Sequence, residues 1–196
     1  MISAKQIVAI AAMTTFSFGL NASSKTKSLR SIDASPAAST APMEQYHLRM
    51  HHLHTGEDID VVYRVGNAYV PQALDLLNHF LRDHRTEDVS SYDPKEFDVL
   101  HALMTSLGRP DGVIDIVCGY RTPWSNSFLR TRGASTGVAE HSQHMLAKAI
   151  DIRVPGVSTA TLRDAALALH AGGVGFYPVS QFVHVDVGPV RTWSFR

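Results

Sequence analysis

Cysteine is almost absent from this chain: Cys118 stands alone among 196 residues. A single thiol can build neither an intrachain disulfide framework nor a cysteine-rich zinc module. An excess of charge is missing too, because 18 Lys and Arg balance 18 Asp and Glu. Without a basic surplus the electrostatic footprint of a nucleic-acid binder is lacking, so no nucleic-acid partner is expected. The body of the chain holds no apolar run of about 18 residues, which excludes a polytopic membrane protein. The length fits one domain with a core of its own, since chains near ~150 residues bury roughly 70% of their unfolded surface. Histidine, by contrast, is abundant, with 11 copies.

The first residues read as a targeting segment. Lys5 precedes an apolar stretch at 7–20 that Thr14, Thr15 and Ser17 interrupt, with Ala22 and Ser23 after it. That stretch is short for a bilayer span and suits an export signal over 1–22, the alternative being an uncleaved amphipathic anchor. Residues 23–43 are rich in Ser, Ala, Thr and Pro and lack the aromatic and branched residues that offset ordering entropy, so they read as a flexible tether. The folded unit is expected over 44–196, in the periplasm, with no stable membrane insertion once the signal is removed. Its oligomeric state is not legible in the sequence.

Strand and helix patterns then alternate. Segments 46–53 and 58–65 flank His54-Thr55-Gly56-Glu57, a hairpin turn. Pro71 opens a helix with Leu74, Leu77, Leu81 and His84 on one face. Asp93-Pro94-Lys95-Glu96 is a helix start with Asp as cap and Glu reaching back, followed by a stripe of Phe97, Leu100, Met104 and Leu107. Strands are expected at 113–118, 147–154, 174–176, 182–187 and 190–193. Helices are expected from Thr122-Pro123 to Gly133 and from Ser158 through Leu169, the second stopped by Gly172-Gly173. The pattern is α+β, a single domain with a central antiparallel sheet flanked by helices.

Chemistry concentrates in two segments. The first is Glu140-His141-Ser142-Gln143-His144 followed by the strand that carries Asp151; the second is Phe182-Val183-His184-Val185-Asp186. Strand alternation places Ala149, Asp151 and Arg153 on one face, and Phe182, His184 and Asp186 on one face. A carboxylate inside such a strand needs a metal or an arginine to compensate it. Two imidazoles and a carboxylate (His144, His184, Asp151) form a borderline-soft set that suits Zn²⁺ with a position left open for water, the arrangement of a hydrolytic zinc site. A purely structural alternative pairs Asp151 with Arg153 or Arg121.

These segments, with Gly119-Tyr120-Arg121-Thr122-Pro123, Gly172-Gly173-Val174-Gly175-Phe176-Tyr177-Pro178 and the motifs around His51–His54 and His79–His84, run in order from about Gln45 to the C-terminus. The set resembles the LAS-type zinc peptidase superfamily, which includes D-alanyl-D-alanine carboxypeptidases and hedgehog-like domains. The bacterial murein endopeptidase K-like family is its closer branch. The resemblance implies a zinc-dependent endopeptidase that cuts peptidoglycan stem-peptide cross-links, with His144, Asp151 and His184 as ligands. It also implies that Arg121 faces the substrate carbonyl or its oxyanion, a fixed cation for charge that develops in the transition state. Arg121 as a simple salt-bridge partner is the other reading.

Three positions depart from the pattern. Ala147 stands where a glycine is usual, at some expense of backbone freedom. Cys118 stands where serine is more frequent. Gln181 occupies the position, three before the last histidine, at which related enzymes carry a carboxylate base. The base must then come from elsewhere: Asp186 is the first candidate, and His141 the second or else a group that steadies the site. Gln181 also keeps open a non-catalytic, metal-containing peptidoglycan-binding module. His52 and His54 read as a solvated face, Cys118 as a buried small hydrophobe, the glycines at 172–175 as a helix stop and turn, and Tyr177 as a cleft or packing residue.

Overall fold

A computed structural model describes residues 43–133 and 136–195. Apart from Met43, the expected export signal and tether lie outside these residues. The chain forms strands β1 (Gln45–His52), β2 (Asp58–Val65), β3 (Ala68–Tyr69), β4 (Val113–Cys118), β5 (Ala149–Arg153), β6 (Gly173–Tyr177), β7 (Phe182–Asp186) and β8 (Arg191–Ser194). Four helices accompany them: α1 (Pro71–Phe80), α2 (Lys95–Ser106), α3 (Pro123–Arg130) and α4 (Thr159–Ala168). No helix among the described residues is long and apolar enough to cross a membrane.

The strands join in one sheet of order β3-β2-β1-β4-β5-β7-β6-β8. The sheet is mixed rather than wholly antiparallel: β1 runs parallel to β4, and β6 parallel to β8. The parallel β1–β4 pair follows from the long excursion through α1 and α2, which returns the chain in the direction it left. In β1, β4, β5 and β7 alternate residues Leu48, Met50, Ile114, Ile116, Ile150, Ile152, Val183 and Val185 turn inward. There they meet Leu77 of α1, Phe97, Leu100, Leu103 and Met104 of α2, and Leu162 of α4. β5 and β7 are covered on both faces. Their second face carries polar groups.

Local details differ from the sequence expectations where tertiary contacts take over. α1 stops at Phe80, so His84 leaves the helix face and stacks on His54, ring centroids 4.1 Å apart. His52, expected on a solvated face, is fully buried; its ring meets Phe80 and His84 edge-on, and its Nδ1 accepts from the backbone of His54 and Thr55. Glu96 does not reach back to cap α2. It is fully buried, neither carboxyl oxygen meets a partner among the described residues, and burial next to Asp186 pushes its pKa far up. Asp93 Oδ1 serves as the cap acceptor, taking the Lys95 N–H at 3.1 Å.

Candidate metal centre

One row of residues crosses the polar face of the sheet. Registry places Cys118 opposite Asp151, Asp151 opposite His184, His184 opposite Gly175, and Gly175 opposite Trp193. Directly opposed residues share a face, so the row is continuous. Gly175 is required in it: a Cβ there would sit 2.6 Å from the Trp193 indole, which instead lies over the strand with its ring 5.1 Å from His184.

His144 enters from the side. A 3-10 turn at Gln143–Leu146, capped by the Ser142 hydroxyl, carries the ring over Asp151. Ala147 then takes the left-handed conformation (φ 50°, ψ 46°) that redirects the chain, so β5 begins at Ala149 rather than at 147. This is the backbone freedom that a glycine supplies without strain. Gly119 fits against the carbonyl of Leu81, where a Cβ would come within 2.5 Å, and its own carbonyl accepts from His144 Nδ1 at 2.8 Å.

Three side-chain atoms from these elements converge. His144 Nε2 lies 3.1 Å from Asp151 Oδ1 and 3.1 Å from His184 Nδ1, and His184 Nδ1 lies 2.9 Å from Asp151 Oδ1. All three residues are buried. The far edge of each is taken. His144 Nδ1–H donates to Gly119, so a neutral ring presents its Nε2 lone pair inward. His184 Nε2 donates to Asp186 Oδ2 at 3.0 Å, which turns the Nδ1 lone pair inward. Asp151 Oδ2 accepts from Arg121 at 3.0 Å, leaving Oδ1 for the two rings. Burial and the nearby Arg121 guanidinium push His144 down to about 4, so it is neutral near pH 7.

Three lone pairs facing one another repel unless a proton or a cation lies among them. Without a metal the proton goes to His184: burial lowers its pKa, but the hydrogen bonds to Asp151 and Asp186 outweigh burial and raise it. Burial alone would raise Asp151, yet the two histidines hold it well below the usual range. Donors bound to one tetrahedral zinc at 2.0–2.1 Å lie roughly 3.3 Å apart, within a few tenths of the spacing here. The donor set and its spacing therefore fit a borderline divalent ion. Cys118 also places its sulfur within 4.8 Å of ligand atoms of His144 and Asp151. It sits behind the tighter set, accepts from Arg121 Nε at 3.1 Å, and burial raises its thiol pKa, which disfavours the thiolate a metal needs.

Above the triangle lies an open cleft whose lining includes Arg121, His141, Tyr177, His184, Arg191 and Trp193. Arg121 is buried and does both things that its sequence context allowed, pairing with Asp151 and bordering the cleft. His141 is exposed at the rim.

Asp186 is placed differently from a free base. Its oxygens accept from Gly173 N, Gly188 N, Arg191 and His184 at 2.7–3.1 Å. Burial opposes ionisation, but these donors hold the carboxyl far below its ordinary range. A carboxylate so held takes up a proton poorly, which weighs against Asp186 as the base. Gln181 does not line this cleft, although its neighbours Ser180 and Phe182 do. It sits in the β6–β7 turn with φ 57° and lines a separate cavity with Asp115 and Arg153.

Sequence reasoning missed Arg191 and the seat beneath it. Gly173 is more than a helix stop: a Cβ there would lie 2.4 Å from Asp186 Oδ2. The Gly-Gly pair after a helix, separated by eight residues from the histidine-bearing strand, is the signal that could have flagged a close approach.

A family model described as peptidoglycan L,D-endopeptidase MepK matches residues 40–193. The chain is 43% identical over 146 residues to the peptidoglycan L,D-endopeptidase MepK of Escherichia coli, covering 74% of this chain and 79% of that protein. It is 39% identical over 147 residues to a Haemophilus influenzae protein named "Probable peptidoglycan L,D-endopeptidase MepK", covering 75% and 78% respectively. No solved structure gives a significant match.

Proposed function

The chain belongs to the family of peptidoglycan L,D-endopeptidase MepK, and from that membership we propose that it is a zinc-dependent endopeptidase hydrolysing peptide cross-links in peptidoglycan. The observation that carries this reading is the set of inward-facing donors on His144, Asp151 and His184, each fixed from behind by a hydrogen bond. Those three residues would hold the ion. When bound, zinc supplies a Lewis acid that acidifies water and polarises a carbonyl.

The remaining chemistry belongs to the chain. Asp186 fixes the His184 tautomer that leaves Nδ1 free, and Gly119 does the same for His144 Nε2. Arg121 holds Asp151 Oδ2 and brings a permanent cation to the cleft wall, which supports a role for it against negative charge on the scissile carbonyl oxygen. His141, exposed at the cleft rim, is the remaining candidate from the sequence to pass a proton to the leaving amine. The loss of a carboxylate at Gln181 does not argue for a pure binding module, because that position lies away from the cleft. Peptidoglycan lies in the periplasm, the destination to which residues 1–22 read as an export signal.

The test is digestion of purified sacculi with the protein, with and without a chelator. The expected outcome is loss of cross-linked muropeptides that the chelator abolishes and added zinc restores. Identical muropeptide profiles in the presence and absence of protein would contradict the reading.

A further inference from the structure

We infer that Arg191 anchors a carboxylate of the substrate beside the metal centre and sets the specificity of the cleft, an inference that rests on the endopeptidase reading above. Arg191 begins β8 and lines the same cleft as His184 and Asp151, with its side chain 40% exposed. Exposed arginines ordinarily sample many rotamers. This one is held on three sides. Its Nη1 and Nη2 donate to the two oxygens of Asp186 at 3.1 and 2.7 Å, and Nη1 also donates to the Pro189 carbonyl at 3.0 Å. Its guanidinium lies over the Trp193 ring, 5.0 Å from the centroid. Gly173 leaves the space below it, since a Cβ there would be 2.5 Å from Nη1.

A guanidinium has five N–H donors. Three are accounted for by Asp186 and Pro189, leaving Nε–H and the second Nη2–H without a partner among the described residues. Those two lie along one edge of the group, the edge that grips a carboxylate through two parallel hydrogen bonds. The cation is therefore pre-positioned, and binding costs little further ordering of its side chain. The arginine and Asp186 form one fixed ion pair beneath the cleft, and Arg121 and Asp151 form the other. With the acids thus balanced, a divalent ion leaves the site net positive and attractive to an anionic peptide.

The matching substrate feature is a free carboxylate next to the scissile bond. In stem peptides cross-linked through diaminopimelate, the leaving amine carries such a group on the carbon bonded to the scissile nitrogen. Arg191 is linked to the candidate metal ligand His184 through Asp186 and lines the same cleft.

The experiment uses the full, metal-loaded chain and two synthetic cross-linked peptide dimers, one with this carboxylate free and one with it as a carboxamide. Wild type is expected to favour the carboxylate by about tenfold or more in kcat/KM. Arg191→Gln is expected to bring that ratio to within about twofold of unity, whatever its overall loss of rate through Asp186, and Arg191→Lys to keep part of it. A retained wild-type ratio in Arg191→Gln overturns the inference. Calorimetric binding of the amine-side product peptide, free or amidated, gives a readout that needs no turnover and serves if Arg191→Gln fails to fold. Equal affinities of wild type for the two forms overturn the inference as well. A wild type that prefers the carboxylate product but cuts neither dimer sinks the endopeptidase reading and leaves the anchor standing.

Discussion

The centre of this molecule is a problem of tautomers. A histidine offers a metal one lone pair, and the group behind the ring decides which nitrogen carries it. Asp186 makes that decision for His184. Asp186→Asn keeps the shape but lets an amide N–H face Nε2, which moves the ring proton to Nδ1 and withdraws the ligand. Metal affinity, measured by competition with a chelating dye, is expected to fall roughly 10–100-fold; an unchanged affinity would contradict the assignment. At this scale the three candidate donors were legible because their types and alternation are local facts. The role of Asp186 was not, because its engagement by Gly173, Gly188 and Arg191 depends on β6 and β8 folding back beside β7. The place of Gln181 was not legible for a related reason: it depends on the β6–β7 turn.

At the scale of elements, most strands and helices followed from periodicity and caps. Thr122 caps α3 as expected, accepting from Ser125 N at 3.1 Å. The parallel pairings β1–β4 and β6–β8 were not legible, since the side-chain period is the same in either direction. The burial of His52 at the β1–β2 turn was hidden because it results from α1 ending early and bringing His84 across. That burial has a pH consequence. Desolvation, with the charges of neighbouring His54 and Arg82 adding to it, lowers His52 to about 4 against the ordinary 6.5, and burial takes His84 to about 4 as well. Between those values the unfolded chain binds the extra proton, so the stability contribution is complete above about pH 6.5 and is lost as pH falls toward 4. His52→Asn keeps an acceptor for the His54 and Thr55 amides but does not titrate. Denaturant melts from pH 7 to 4 should show wild type losing more stability than this variant, by up to about 3 kcal/mol. Parallel losses in the two proteins would contradict the argument.

Across the whole molecule, the sheet has two separate duties. One face buries a helix-covered core, and the other lays Cys118, Asp151, His184, Gly175 and Trp193 in a row on which a turn deposits His144. The three donors are far apart in sequence, so their meeting depends on strand order, which alternation alone does not dictate. The central claim is that one divalent ion binds where they meet. Anomalous diffraction from crystals grown with zinc, recorded on both sides of the zinc edge, tests it most directly. A single strong peak bonded to His144 Nε2, Asp151 Oδ1 and His184 Nδ1 is expected; no peak there, or a peak held by Cys118 in place of His184, would contradict the claim.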